Sequence, residues 1–198
     1  MLLDPSNQFT PRGAGSEPRN PTRRRFLGGL ASFSALALAA PASALADRPD
    51  REERVLSFLH THTSERLTAP YFADGSYITA SLAKLFRFLR DHRTGEEHAI
   101  DPALFDLLHE LRRATGTRGP FHVISAYRSP ATNHRLRAAG RGVAKGSLHL
   151  EGRAIDVRLT DVSSAVLRDA AKALSRGGVG YYRQSDFVHV DTGRVRVW

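Results

Sequence analysis

The 198-residue sequence contains no cysteine. Disulfides, thiolate metal ligands and a cysteine nucleophile are therefore excluded, and any metal must be held by His, Asp or Glu. Acidic residues are scarce: 20 Asp and Glu face 29 Lys and Arg, a formal net charge of +9. No run of Lys or Arg is interleaved with aromatics, so nothing points to nucleic acid as a partner. The excess charge suits an acidic polymer, an anionic lipid surface or a well-solvated basic exterior. Long apolar runs are missing too. The main apolar stretch, Gly28 to Ala40, is short for a membrane span. With 41% hydrophobic and 25% charged residues, the rest has the profile of one soluble domain and a tail.

The tail reads as an export signal. Residues 1–21 are rich in Pro, Gly, Arg and Asn, with no pattern to bury. Arg23-Arg24-Arg25-Phe26-Leu27 then precedes the apolar stretch, and Ala44-Leu45-Ala46 offers small residues for a signal peptidase. The paired Arg23-Arg24 resembles the twin-arginine type, a route that carries folded proteins. The expectation is a signal with a disordered leader over 1–46, passing through the twin-arginine machinery. A mature, periplasmic or otherwise exported protein would start near Asp47, with no stable membrane insertion after cleavage. An uncleaved anchor is the alternative. Residues 47–54 read as a charged linker and 55–198 as the folded domain.

Within that domain, short apolar pieces and Gly75 suggest a hairpin between Val55 and Tyr77. Leu82, Leu85, Phe86 and Leu89 share one helical face, which predicts a helix over Ser81–His92. Asp101-Pro102 opens a second helix, with Asp as cap and Pro in the first turn. Strands are predicted over Phe121–Ser125, Arg153–Leu159, Val179–Tyr182 and Phe187–Val190, with short helices from Pro130 and from a cap at Asp161. The class is α+β: a small antiparallel sheet with flanking helices.

Three segments place polar residues where a strand would otherwise be apolar: Ser147 to Asp156, Asp186 to Asp191 and Ser125 to Ser129. Alternation puts Asp156 on the face opposite Ile155 and Val157. A carboxylate there is costly unless paired or metal-bound. His189 has the same setting between Val188 and Val190, and His149 precedes Gly152, where the chain can bend inward. Two imidazoles, a carboxylate and an open fourth position make a catalytic zinc site, which needs a nearby group to take a proton from water. The alternative is an ordinary core: a satisfied histidine, and an aspartate paired with Arg128 or Arg153.

The pattern S-L-H-L-E-G-R-A-I-D resembles the S-x-H-x-x-G-x-A-x-D motif of zinc D-alanyl-D-alanine peptidases, a superfamily that includes the hedgehog signalling domain. S-A-Y-R-S-P-A-T-N, R-G-V-A-K-G-S-L-H, G-G-V-G-Y-Y and F-V-H-V-D-T-G-R-V-R-V-W resemble the murein endopeptidase K family of twin-arginine-exported bacterial proteins. The similarity runs from about Leu56 to Trp198. It implies a hedgehog/D-Ala-D-Ala-peptidase-like fold, zinc held by His149, Asp156 and His189, and hydrolysis of peptidoglycan cross-link peptides. It also makes Arg128 the substrate arginine, suited to two-pronged carboxylate binding or to charge at the scissile carbonyl. The superfamily often places a catalytic Glu at the position of Asp186, one methylene longer. Asp191 shares a strand face with His189 whereas Asp186 does not, so Asp191 is preferred as general base or as the group orienting His189. Tyr127, Ser147 and Tyr182 are further substrate-site candidates.

Three other readings stay open: a non-catalytic wall-binding module of the same fold, a D,D- or L,D-carboxypeptidase, and a structural metal closed by His134 or His122. The sequence does not say which peptide bond is cut.

Overall fold

The structure, a computed structural model, describes residues 53–198 apart from Arg141. The expected signal and leader over 1–46, its cleavage near Asp47 and linker residues 47–52 lie outside the described residues.

Chain order starts with β1 (Arg54–His60), β2 (Arg66–Ala73) and β3 (Ser76–Tyr77), the expected hairpin with an added turn at Asp74-Gly75. Two helices follow, α1 (Thr79–Phe88) and α2 (Pro102–Thr115). The Asp101 side chain accepts from the Ala103 amide at 3.0 Å, as the Asp-Pro pair predicts. Then come β4 (Phe121–Ser125), α3 (Pro130–Ala138), β5 (Ala154–Arg158), α4 (Ser164–Leu174), β6 (Gly178–Tyr182), β7 (Phe187–Asp191) and β8 (Arg196–Val197). The α+β class holds. The eight-strand sheet, ordered β3-β2-β1-β4-β5-β7-β6-β8, is larger than expected and mixed rather than antiparallel. β1 with β4 and β6 with β8 are parallel pairs. A parallel partner needs a long crossover, and α1 and α2 supply it between β1 and β4.

The α4 cap is also corrected. Ser163, not Asp161, accepts from the Val166 amide. Asp161 instead takes the Thr117 hydroxyl at 2.7 Å and the Arg118 amide at 3.0 Å, tying two loops together.

Strand register sets the two faces of the sheet. Ile155 lies opposite Val190, and Val157 opposite Val188, on the face that α4 covers together with α2. Full burial of each such side chain contributes about 1.5–3 kcal/mol before conformational entropy is counted. Alternation sends Asp156, His189 and Gly180 to the other face, where they form one cross-strand row.

At the far end of β1, buried His60 packs 5.3 Å from His92, and His62 stacks on His92 at 4.2 Å. Burial, helped by the charges of His62, Arg90 and Arg93 and opposed by Glu65, pulls His60 down to about 4. Burial and Arg93 do the same to His92. Both lie below the unfolded value of 6.5, so the unfolded chain binds more protons on acidification. Their contribution is full above about pH 6.5 and is lost as pH falls toward 4. Between pH 7.5 and 5 the unfolding free energy is expected to fall by about 1–3 kcal/mol in urea titrations, and by less in His60→Gln. Equal slopes in the two proteins would contradict this assignment.

Candidate metal centre

Each donor comes from a differently built segment. Asp156 is mid-strand in β5 and His189 mid-strand in β7, directly paired across the sheet. His149 sits in a 3-10 turn, Leu148–Glu151, that ends at Gly152 with φ 64°. A Cβ at Gly152 would meet the Ala99 carbonyl oxygen at 2.2 Å, so glycine is required there by both backbone angle and space. The turn is bound to the chain after β4: the Arg128 amide donates to the His149 carbonyl at 3.1 Å.

The result is a buried triangle. His149 Nε2 lies 3.2 Å from His189 Nδ1 and 3.3 Å from Asp156 Oδ1, and His189 Nδ1 lies 2.9 Å from Asp156 Oδ1. Bond lengths of about 2.0–2.1 Å with tetrahedral angles put neighbouring zinc donors about 3.3 Å apart. Tautomers point the same way. His149 Nδ1 faces the Ala126 carbonyl at 2.6 Å and must donate to it, so its Nε2 carries a lone pair. His189 Nε2 faces the Asp191 carboxylate at 3.0 Å, so its Nδ1 is also a lone pair. Three acceptors turned toward one another repel unless a cation or an extra proton lies between them. The residues therefore fit a zinc ion. Among the described residues this is the one group of three such donors that converges.

Burial opposes ionisation of Asp156, but the imidazoles of His149 and His189 beside it outweigh that and hold the carboxyl well below its usual range. His189 is likewise pulled down by burial yet raised on balance by Asp156 and Asp191. The triangle opens into a cleft of about 440 Å³, also lined by Arg128, Ser147, Tyr182, Phe187, Arg196 and Trp198.

Residues 48–198 match the family model described as Peptidoglycan L,D-endopeptidase MepK. Proteins with that name from Escherichia coli strain K12 and Shigella flexneri are each 45% identical over 172 residues, covering 87% of this chain and 93% of theirs. The Haemophilus influenzae protein named "Probable peptidoglycan L,D-endopeptidase MepK" is 41% identical over 159 residues, 80% of this chain and 86% of its own. The chain belongs to the MepK family. The expected place within the D-alanyl-D-alanine-peptidase-like superfamily follows from this membership.

The other residues singled out in this MepK family member fall into two groups. Arg128, Ser147 and Tyr182 line the cleft. Arg128 is 8% exposed; one guanidinium nitrogen lies 4.0 Å from Asp156 Oδ2 and another 3.5 Å from Asn133 Oδ1, while its Nε has no hydrogen-bond partner among the described residues. Tyr127, Asp186 and Asp191 do not line the cleft. Tyr127 is buried and stacked on His98 at 4.7 Å, a packing position rather than a groove wall. Asp186 sits at φ 51° in the turn before β7, which removes it from the strand face. Its carboxylate accepts the Ser164 hydroxyl at 2.7 Å, lies 4.0 Å from Arg158 and lines a separate hollow beside His122.

Asp191 is fully buried behind His189. Besides His189 it accepts from the Gly178 amide at 3.0 Å, the Gly193 amide at 2.8 Å and two Arg196 nitrogens at 3.1 and 2.7 Å. Burial opposes its charge, but the bonds from His189 and Arg196 keep it ionised well below the usual carboxylate range. With every lone pair engaged, it is placed to orient His189 and poorly placed to accept a proton. Neither His122 nor His134 joins the triangle among the described residues.

Sequence reading missed three supporting residues. Arg196 anchors Asp191, and Trp198 forms a cleft wall. Asp91, also buried, accepts from the Ser129 amide at 2.9 Å and its hydroxyl at 2.7 Å, fixing the corner that carries Arg128. Burial raises Asp91, but bonds from Thr132, Arg93 and Ser129 hold it at about 2. The signal for Arg196 was available: it lies in the V-R-V-W run that follows the strand carboxylate Asp191.

Proposed function

We propose that this chain is a zinc-dependent peptidoglycan endopeptidase that hydrolyses cross-link peptides of the cell wall after twin-arginine export to the periplasm. The observation that carries the reading is the triangle of His149, Asp156 and His189, whose three lone pairs call for a divalent cation. Its membership in a family described as peptidoglycan L,D-endopeptidases supplies the substrate class. Bound zinc would lower the pKa of water and polarise the scissile carbonyl. The chain's own residues orient the metal donors and receive the substrate. Asp191 holds His189 in the tautomer that presents Nδ1, and the Ala126 carbonyl does the same for Nε2 of His149. Arg128, whose side chain lines the cleft, is placed to receive a substrate carboxylate.

Asp186 is not needed in this reading. Asp186→Asn should keep hydrolysis within a few-fold of the parent, because its partners Ser164 and Arg158 lie outside the cleft. Loss of activity with zinc still bound would restore it as general base. One observation favours a second reading, a wall-binding module: among the described residues, Asp156 is the sole carboxylate lining the cleft. Mass spectrometry of products from cross-linked muropeptides, with zinc-loaded and chelator-treated protein, separates the two. Zinc-loaded protein that binds sacculi and releases nothing would leave the binding module standing.

A further inference from the structure

A second hollow, sharing no residue with the metal cleft, carries a charge imbalance that hydrolysis does not use. It measures about 260 Å³ and lies between the start of β2 and α1. Arg66, Lys84, Arg87 and Arg90 line it with Glu65, four cations to one carboxylate. Glu65 is already engaged: it accepts from Arg90 at 3.2 Å and from the Thr63 hydroxyl at 2.8 Å. Arg66, Lys84 and Arg87 are exposed, and none has an ion pair or a side-chain hydrogen bond to a carboxylate among the described residues. The surrounding sequence offers no relief. From Gly75 to Gly95 the single carboxylate is Asp91, which is buried and bonded to Ser129. The negative end of the helix dipole favours a cation in the last turn of α1 and so accounts for Arg87. It does not account for Lys84, which precedes that turn, or for Arg66 on a strand. Beyond Arg90 the next cation is Arg93, close enough to act on the charge of Arg128 at the cleft. Cations therefore run from the hollow to the cleft edge. Like charges gathered on one surface repel, and an anionic partner relieves the repulsion.

We propose that the outer face of α1, together with Arg66, is a docking surface for the acidic peptides of the intact wall polymer, separate from the site that cuts. The identity of the partner rests on the wall-peptidase reading; the surface and its preference for a polyanion do not. Charge complementarity selects an acidic polymer. The surroundings select carboxylates over the other polyanions. A face that docks on lipid combines cations with exposed apolar side chains, and none of the large exposed apolar residues lies in this hollow. A face that holds single-stranded nucleic acid offers aromatic rings for the bases, and the one ring here, Phe88, is buried. A single exposed ion pair contributes little. A soluble peptide with one or two carboxylates therefore gains almost nothing from this face. A polymer that repeats its carboxylates engages several cations at once, and each contact raises the effective concentration for the next. The surface thus favours cross-links in the assembled wall over the same bond in solution.

Affinity for purified sacculi is read by cosedimentation of the zinc-loaded protein, and cleavage of a soluble cross-linked muropeptide dimer is followed in parallel. Reversing two charges, Lys84→Glu with Arg87→Glu, is expected to weaken sacculus binding about tenfold at low salt and to leave KM and kcat on the dimer within twofold. At about 1 M salt, where charges are screened beyond about 3 Å, parent and variant should bind sacculi alike. Sacculi whose carboxylates have been amidated should likewise fail to tell them apart. Both side chains are exposed, so thermal unfolding should match the parent. Lys84→Gln with Arg87→Gln adds no carboxylate and should give a smaller loss in the same direction, which covers a reversal variant that does not fold. Equal sacculus binding by the parent and the folded variants at low salt overturns the proposal. So does an equal loss on the soluble dimer, which would place the effect in the cleft. A difference that survives amidation, or that appears with phosphatidylglycerol vesicles and not with sacculi, overturns it in favour of a phosphate-bearing partner. Failure of the endopeptidase reading looks different: salt-sensitive binding to sacculi persists and no bond is cut.

Discussion

His149→Ala is expected to lose zinc and muropeptide hydrolysis together, with activity down on the order of 10³-fold or more. The imidazole supplies one apex of a triangle whose edges are 2.9 to 3.3 Å. Without it, one nitrogen and one oxygen remain, too few for a tight zinc site. The substitution also strands the Ala126 carbonyl, whose 2.6 Å bond to His149 is buried, at a cost of about 1–3 kcal/mol. Thermal unfolding in the absence of zinc therefore serves as the control. A folded variant with depleted zinc and no released muropeptides fits the assignment. A variant that binds one zinc with parental affinity would show that the ion sits elsewhere.

How much of this was legible in the sequence depends on the range of the interaction. Period-two alternation put Asp156, His189 and Asp191 on polar faces of apolar strands, and the structure brings all three together, with the two carboxylates 2.9 and 3.0 Å from the ring nitrogens of His189. Strand alternation is local, so it reads out reliably. Asp186 lies just before the same strand, and the left-handed turn at its own position takes it out of register, a detail that local pattern does not carry. The exchange of Asp161 for Ser163 as the α4 cap has a similar cause: a distant loop, with Thr117 and Arg118, competes for the aspartate. The parallel pairing of β1 with β4 was invisible because two helices separate the partners. β8 has only two residues, and backbone bonds between Trp198 and both Val179 and Tyr181 hold it beside β6.

Asp191→Asn separates the two roles the sequence left to this residue. On the Oδ1 side it receives the Gly178 and Gly193 amides and an Arg196 nitrogen; on the Oδ2 side, His189 Nε2 and the other Arg196 nitrogen. All of these are donors. An amide replaces one oxygen with an NH2 group, so whichever way it is turned, a donor meets donors inside a buried site. With the NH2 toward His189, the ring is driven to carry its proton on Nδ1, the atom that faces His149 and Asp156. Zinc affinity should therefore fall about 10–100-fold, measured by competition with a chromogenic chelator. Saturating zinc should return kcat to within a few-fold of the parent. A proton-accepting role predicts the reverse, with zinc held as tightly as before and kcat collapsed at every zinc concentration. Arg196→Ala should follow Asp191→Asn in direction and fall short of it in size, since it removes two of the donors and leaves His189 bonded to a carboxylate.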